Sequence, residues 1–153
     1  MLSFAIEIYS LHINCGGKEV SINNTIKYKV DTERKGASQY HSDDNWAFSS
    51  TGNFLDGNRG PNDYIISNTS TLHNISAFDT ELYKTARIAA ISLTYYGLCL
   101  MNGNYSVRLH FAEIVFTQDN SFTSLGKRVY DVYVQIAFLK CGDLPVGRRY
   151  QLA

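Results

Sequence analysis

Polar and apolar residues alternate most clearly from Tyr105 to Phe116, YSVRLHFAEIVF. There Tyr105, Val107, Leu109 and Phe111 share one parity and Ser106, Arg108 and His110 the other. A period of two marks a strand with one buried face. The phase slips at Glu113, after which Ile114 and Phe116 take the opposite parity; a β-bulge near Ala112 accounts for the shift. Upstream, Asn102-Gly103 separates this run from ISLTYYGLCL, Ile91 to Leu100. That dipeptide suits a type I′ turn, whose two central residues both need positive φ, so the two runs are expected to pair as a hairpin. Val129 to Phe138, VYDVYVQIAF, reads as a further strand, with Tyr130, Val132, Val134 and Ile136 on one parity. Two short strands are expected between Ile13 and Val30, around a turn at Asn23-Asn24.

Elsewhere the pattern is weaker. Asp31 to Ala77 is rich in Gly, Asn, Ser and Asp without sustained periodicity. It is too long for a structureless loop in a compact domain, so short strands and functional loops are expected to share it. Glu81 to Ala90, ELYKTARIAA, fits a short helix and a strand equally. From Lys140 the alternation ends, and KCGDLPVGRRYQLA is expected to pack poorly. The organisation expected is therefore a poorly defined segment over 1–10, one folded domain over 11–138 and a divergent tail over 139–153.

Composition sharpens the fold class. Of 153 residues, 44% are hydrophobic and 18% charged, too apolar and too weakly charged for disorder. The 11 Tyr and 8 Phe against 1 Trp favour pleated, half-buried sheet over helix. An all-β domain follows. Lys plus Arg equals Asp plus Glu at 14 each, with no basic stripe. Nucleic acid and anionic lipid therefore find no electrostatic footing, whereas a neutral ligand or a protein partner does. No run approaches the ~20 apolar residues a membrane span needs. The opening MLSFAIEIYSL lacks a positive n-region and a small-residue cleavage site, so the expectation is either a fragment whose secretion signal lies upstream or a start at an internal methionine.

Candidate chemistry is sparse. Asn-x-Ser/Thr sequons stand at Asn23, Asn68, Asn74 and Asn104, candidates for N-glycosylation in a secretory protein. Cys15, Cys99 and Cys141 are odd in number, which in an oxidising compartment reads as one pair and one leftover. No Cys-x-x-Cys occurs and the four His are scattered, so no metal site is expected. Gly16-Gly17-Lys18 lacks Walker spacing and reads as a tight turn. A glycosidase would need two carboxylates across a cleft. Asp43, Asp44, Asp56, Asp63, Glu113 and Asp131 are the choices, Glu113 being notable for interrupting an apolar strand. The favoured reading makes Glu113 a structural acid paired with Arg87 or Arg128, because a lone buried charge is costly. Between Tyr40 and Trp46, YHSDDNW groups aromatic rings with Asp43 and Asp44. Rings that stack on a sugar and carboxylates that take its hydroxyls are what a saccharide site uses, and loops on a rigid scaffold are where such residues sit.

Several stretches together resemble the malectin domain of plant leucine-rich-repeat receptor-like serine/threonine kinases. They are INCGGKEV (Ile13 to Val20), DGNRGPNDY (Asp56 to Tyr64), ELYKTAR (Glu81 to Arg87), LTYYGLCLMNGNYSVRLHFAEIVF (Leu93 to Phe116) and GKRVYDVYVQ (Gly126 to Gln135). The resemblance implies a jelly-roll-like β-sandwich, C-terminally incomplete because it stops near Gln135. It implies a non-catalytic fragment of a receptor ectodomain, without cofactor, on the outer side of the plasma membrane. Any kinase belongs to a parent chain. An oligosaccharide or cell-wall glycan is the implied partner, with other receptor ectodomains as the alternative. It also implies a Cys15–Cys99 disulfide and structural roles for Glu113 and Asp131, which lie in HFAE and YDVYV. Animal malectin, a lectin, holds sugar through aromatic side chains and a late Asp. By motif, Trp46 falls near one of those aromatic positions and Phe116 on another, whereas Ile88 and Val115 stand where the lectin has Tyr. Tyr40, Asp43, Asp44, Trp46 and Phe116 are thus the candidate sugar-binding residues.

Overall fold

A computed structural model of the chain describes residues 8–34, 36–55, 64–69, 77–114, 128–134, 137–139 and 149–152, with the backbone alone at 77–79, 137–139 and 149–152. The regular elements among these residues are strands, apart from one seven-residue helix. The chain divides into two compact units, residues 1–66 with 85–105 and residues 67–84 with 106–153.

In the first unit, β1 (Ile13–Cys15) runs parallel to β3 (Ile26–Asp31), which pairs antiparallel with β2 (Val20–Ile22). The β2–β3 turn carries Asn23 and Asn24 at φ 51° and 55°, and the Thr25 N–H donates to Ile22 O at 3.1 Å. Both central residues have the positive φ of a type I′ turn, which Asn tolerates better than other non-glycine residues. The Asn-Asn dipeptide thus sets this turn where the sequence places it, while the two strands expected between Ile13 and Val30 are three. A second sheet has the order β4 (Tyr40–Ser42), β5 (Trp46–Thr51), β8 (Ser92–Gly97), all antiparallel. Its centre is β5, WAFSST, where Trp46, Ala47 and Phe48 are almost fully buried. Trp46 and Phe48 share the core face, and the small apolar Ala47 between them stands where a polar residue would complete the alternation, which is why the stretch looks aperiodic in sequence. β6 (Ile65–Ser67) and β7 (Thr85–Arg87) form a third, two-stranded sheet.

The second unit contains α1 (Ala77–Tyr83), with Leu82 and Tyr83 buried. ELYKTARIAA is therefore helix to Tyr83 and strand from Thr85. β9 (Val107–His110) pairs antiparallel with β12 (Arg149–Leu152). β10 (Val132–Val134) pairs antiparallel with β11 (Ala137–Leu139), so the single strand expected over Val129 to Phe138 is two. The tail from Lys140, expected to pack poorly, supplies the partner of β9.

The predicted hairpin at Asn102-Gly103 does not form. β8 pairs with β5 and β9 with β12, and among the described residues positive φ falls at Asn23, Asn24, Ser38, Cys99, Gly16 and Gly52 rather than at Asn102 or Gly103. After β8 the chain continues instead of reversing. Leu98 N–H donates to Asn45 O at 2.8 Å, and Met101 N–H to Ile8 O at 3.0 Å. β9 ends at His110, before the phase slip that suggested a bulge.

Candidate functional site

The first unit is organised by a buried ion pair. Asp31 ends β3 at 1% exposure and Arg87 ends β7 at 7%. Arg87 Nε donates to Asp31 Oδ2 at 2.8 Å and Nη2 to Oδ1 at 2.6 Å, a bidentate pairing. Nη2 also donates to Glu33 O at 2.8 Å. Asp31 Oδ2 accepts further from Gly16 N–H at 3.0 Å and Tyr95 Oη at 2.6 Å. The guanidinium lies 4.1 Å from the Phe48 ring centroid, within cation–π reach. Burial alone would lower the Arg87 pKa, but the hydrogen bonds and charge of Asp31 outweigh it and raise it. Burial, with Cys15 and Asp31 adjacent, holds the Tyr95 hydroxyl well above its ordinary value. Burial likewise pushes the Cys15 thiol, hydrogen-bonded to Tyr95, up to about 11. Gly16 is required here: its φ is +80°, and an added Cβ would stand 2.5 Å from Arg87 N.

On this base sits an aromatic cluster. Trp46 and Tyr95 stack at 6.0 Å between centroids, Trp46 and Phe48 at 6.3 Å, and His41 meets Trp46 edge-on at 5.9 Å. Trp46 is 1% exposed and its indole Nε1 donates to Asp43 Oδ2 at 2.9 Å. The expectation of Trp46 as a sugar-stacking residue is corrected by this burial: both ring faces are covered and its one polar atom is satisfied. Its role is to fasten the β4–β5 loop. Asp43 N–H donates back to Trp46 O at 2.9 Å, and Lys29 Nζ donates to Asn45 Oδ1. The fastened loop leaves Asp43 and Asp44 exposed and Tyr40 61% exposed. Asp43 also borders a shallow open depression of about 340 Å³ with Glu19, Lys27, Lys29 and Val30.

The outward face of the β4–β5–β8 sheet was not singled out in the sequence. Register places Ser42, Ala47 and Tyr96 in one cross-strand row, Tyr40, Ser49 and Thr94 in the next, and Thr51 beside Ser92 in a third. Every residue of this face except Ala47 carries a hydroxyl, and none carries a charge. Ser49 Oγ and Tyr96 Oη lie 3.0 Å apart, and Thr51 Oγ1 and Ser92 Oγ 2.6 Å. Tyr96 is 42% exposed. The signal in the sequence is a period-two row of hydroxyls, Tyr40-x-Ser42, Ser49-x-Thr51 and Ser92-x-Thr94-x-Tyr96.

The remaining candidates are dispersed. Glu113 lies 3.7 Å from Arg128, both partly exposed, while Arg87 is taken by Asp31. Asp131 is exposed. Ile88, expected at a lectin position, is 6% exposed and donates its N–H to Tyr64 O at 2.9 Å. Cys15 and Cys99 are free thiols, so the implied disulfide is corrected: Cys15 points inward to Tyr95 while Cys99 is exposed in the segment after β8. Asn23 and Asn104 are exposed, and Asn68 Nδ2 donates to Ile114 O at 2.9 Å. Phe116, Val115, Asn74 and Cys141 lie outside the described residues. Among the described residues no group of three or more His, Cys, Asp or Glu is placed to hold a metal, and no helix is long and apolar enough to cross a membrane.

An all-β module with a buried aromatic cluster and, on the outer face of one sheet, hydroxyl-bearing uncharged side chains is the class these features define. The malectin family model, described as a malectin domain, matches residues 9–140, and the chain belongs to that family. In Arabidopsis thaliana, "Probable LRR receptor-like serine/threonine-protein kinase At1g07650" is 54% identical over 131 residues, covering 84% of this chain and 13% of the relative. "Probable leucine-rich repeat receptor-like serine/threonine-protein kinase At3g14840" is 51% identical over 130 residues, covering 83% and 12%. The chain thus spans about an eighth of the curated relatives it matches; the matched stretch is the malectin domain and holds no kinase domain. No solved structure matches it.

Proposed function

We propose that this chain is the non-catalytic ligand-recognition part of a receptor ectodomain, displayed on the outer side of the plasma membrane, and that its ligand is a glycan. The observation that carries the reading is the fastened loop. Tyr40 exposes its ring on β4 and the loop that follows leaves Asp43 and Asp44 exposed, while the Trp46–Asp43 hydrogen bond ties that loop to the buried indole. A preformed aromatic surface beside carboxylate acceptors binds a saccharide with little ordering cost. A glycan array followed by calorimetric titration tests it; the absence of any saccharide ligand at millimolar concentration sinks the proposal.

A second reading, a protein-interaction module, is favoured by Ile88. Where the lectin has a sugar-contacting Tyr, this chain has a buried aliphatic residue. Pull-down of purified receptor ectodomains, uncompeted by saccharide, is its expected signature.

A further inference from the structure

We infer that the open face of the β4–β5–β8 sheet is itself a binding platform for an extended, uncharged polysaccharide chain, with Tyr40 and Tyr96 as its two stacking rings. The inference rests on the glycan-binding reading and names the face and the ligand class.

Three observations carry it. The first is chemical uniformity. Tyr40, Ser42, Ser49, Thr51, Ser92, Thr94 and Tyr96 share one face by register, and Ala47, the one residue without a hydroxyl, is fully buried at its centre. The solvated face of an antiparallel sheet ordinarily mixes in charged side chains for solubility; here there are none. A surface that offers only hydroxyls and aromatic rings matches a ligand made only of hydroxyls and apolar ring faces. It offers nothing to an acidic or basic chain.

The second observation is spacing. Tyr40 and Thr94 lie on one line across the sheet, two strands apart, and Tyr96 is two residues further along β8. With strands about 4.8 Å apart and about 3.3 Å per residue, the two tyrosines stand about 12 Å apart on a diagonal. That span exceeds one monosaccharide, so one chain must run past several sugars to touch both rings. The third is preorganisation. The Tyr96 hydroxyl is held by Ser49 at 3.0 Å, and Thr51 and Ser92 hold each other at 2.6 Å. Beneath them Phe48 and Tyr95 fill the opposite face. The platform is set before a ligand arrives, so binding costs little side-chain entropy.

The test is titration of the 153-residue chain with unbranched glucose oligosaccharides of two, four and six units, and with a uronate hexamer as the charged control. Affinity is expected to rise with length. Tyr96→Ala and Tyr40→Ala should each weaken hexamer binding by about tenfold, the loss of one truncated hot spot. Tyr96→Phe should retain most of it, and thermal melts of these exposed-site variants should stay close to the parent. The uronate should bind more weakly. If the hexamer binds and neither alanine variant changes it, the platform is wrong while the glycan reading stands. If no oligosaccharide binds, both fall. If a receptor ectodomain binds this face in a Tyr96-dependent way and no sugar does, the face is a protein interface and the inference is overturned.

Discussion

Asp31 and Arg87 show what a single residue can decide. Each is almost wholly buried and each satisfies the other. Removing one leaves the second buried without its counter-charge, which typically costs about 3–5 kcal/mol, whereas replacing both by apolar residues is often neutral. Arg87→Met alone is therefore expected to lower the urea midpoint sharply, and the double variant Asp31→Leu/Arg87→Met to recover much of the loss. An unchanged midpoint in the single variant would rule out the pair as a keystone of the first unit. Beside it, Cys15 keeps its proton up to about 11 against an ordinary 9.0, and Tyr95 keeps its own well above 10.0. In both, the folded state holds a proton that the unfolded chain releases. Their contribution is complete below about pH 9 and declines as pH rises, through 11 for Cys15. Urea midpoints taken from pH 8 to 11 should fall, and Cys15→Ala should flatten the first part of that fall. Neither Asp31 nor Tyr95 was legible as a site in the sequence. Asp31 closes an unremarkable strand, and its partner lies 56 residues further along the chain, a separation at which local pattern carries no information. Trp46 misled for a related reason: its neighbour Asp43 serves as the acceptor for the indole of a core ring.

Elements were legible where local chemistry settled them. The Asn23-Asn24 turn needed only its own two dihedrals, so its hairpin could be read directly. Asn102-Gly103 is a stronger turn signal, yet β9 takes its registered partner from β12 rather than β8, and tertiary pairing overrides a dipeptide's preference. Substitutions should report this difference. Asn24→Val places a β-branched side chain at φ 55° and is expected to cost about 1–3 kcal/mol, while Gly103→Ala, with nothing within 4 Å of the added Cβ, should change stability little. Equal effects in chemical denaturation would contradict the assigned turns. Gly16→Ala combines positive φ with a backbone collision at Arg87 and is expected to be worse than either. The even split over Glu81 to Ala90 was also faithful to the chain, which changes from helix to strand within it.

For the whole molecule, charge balance has a practical consequence. Fourteen cations offset 14 anions, and the isoelectric point is near 6.9. Self-repulsion vanishes there, so solubility is expected to be lowest near neutral pH and to recover at pH 5 or 8.5. Static light scattering across that range measures it, and a flat profile would contradict it. The fold class was the most legible feature of all, because aromatic-rich composition and the ordered series of motifs act over the full length. The outer face of the β4–β5–β8 sheet was the least legible, because a sheet face is assembled from three separated segments whose register no one segment encodes.

Tyr95 and Tyr96 are neighbours in sequence and opposites in space, one bonded to Asp31 and one bonded to Ser49 across the outer face. A slip of β8 by one residue would exchange them, exposing the first and interring the second. Display of Tyr96 is consequently a certificate that the interior has been assembled in the right frame. On the proposed platform, a ligand gripping that ring would also proofread the fold, rewarding only the chains whose hidden charges have met.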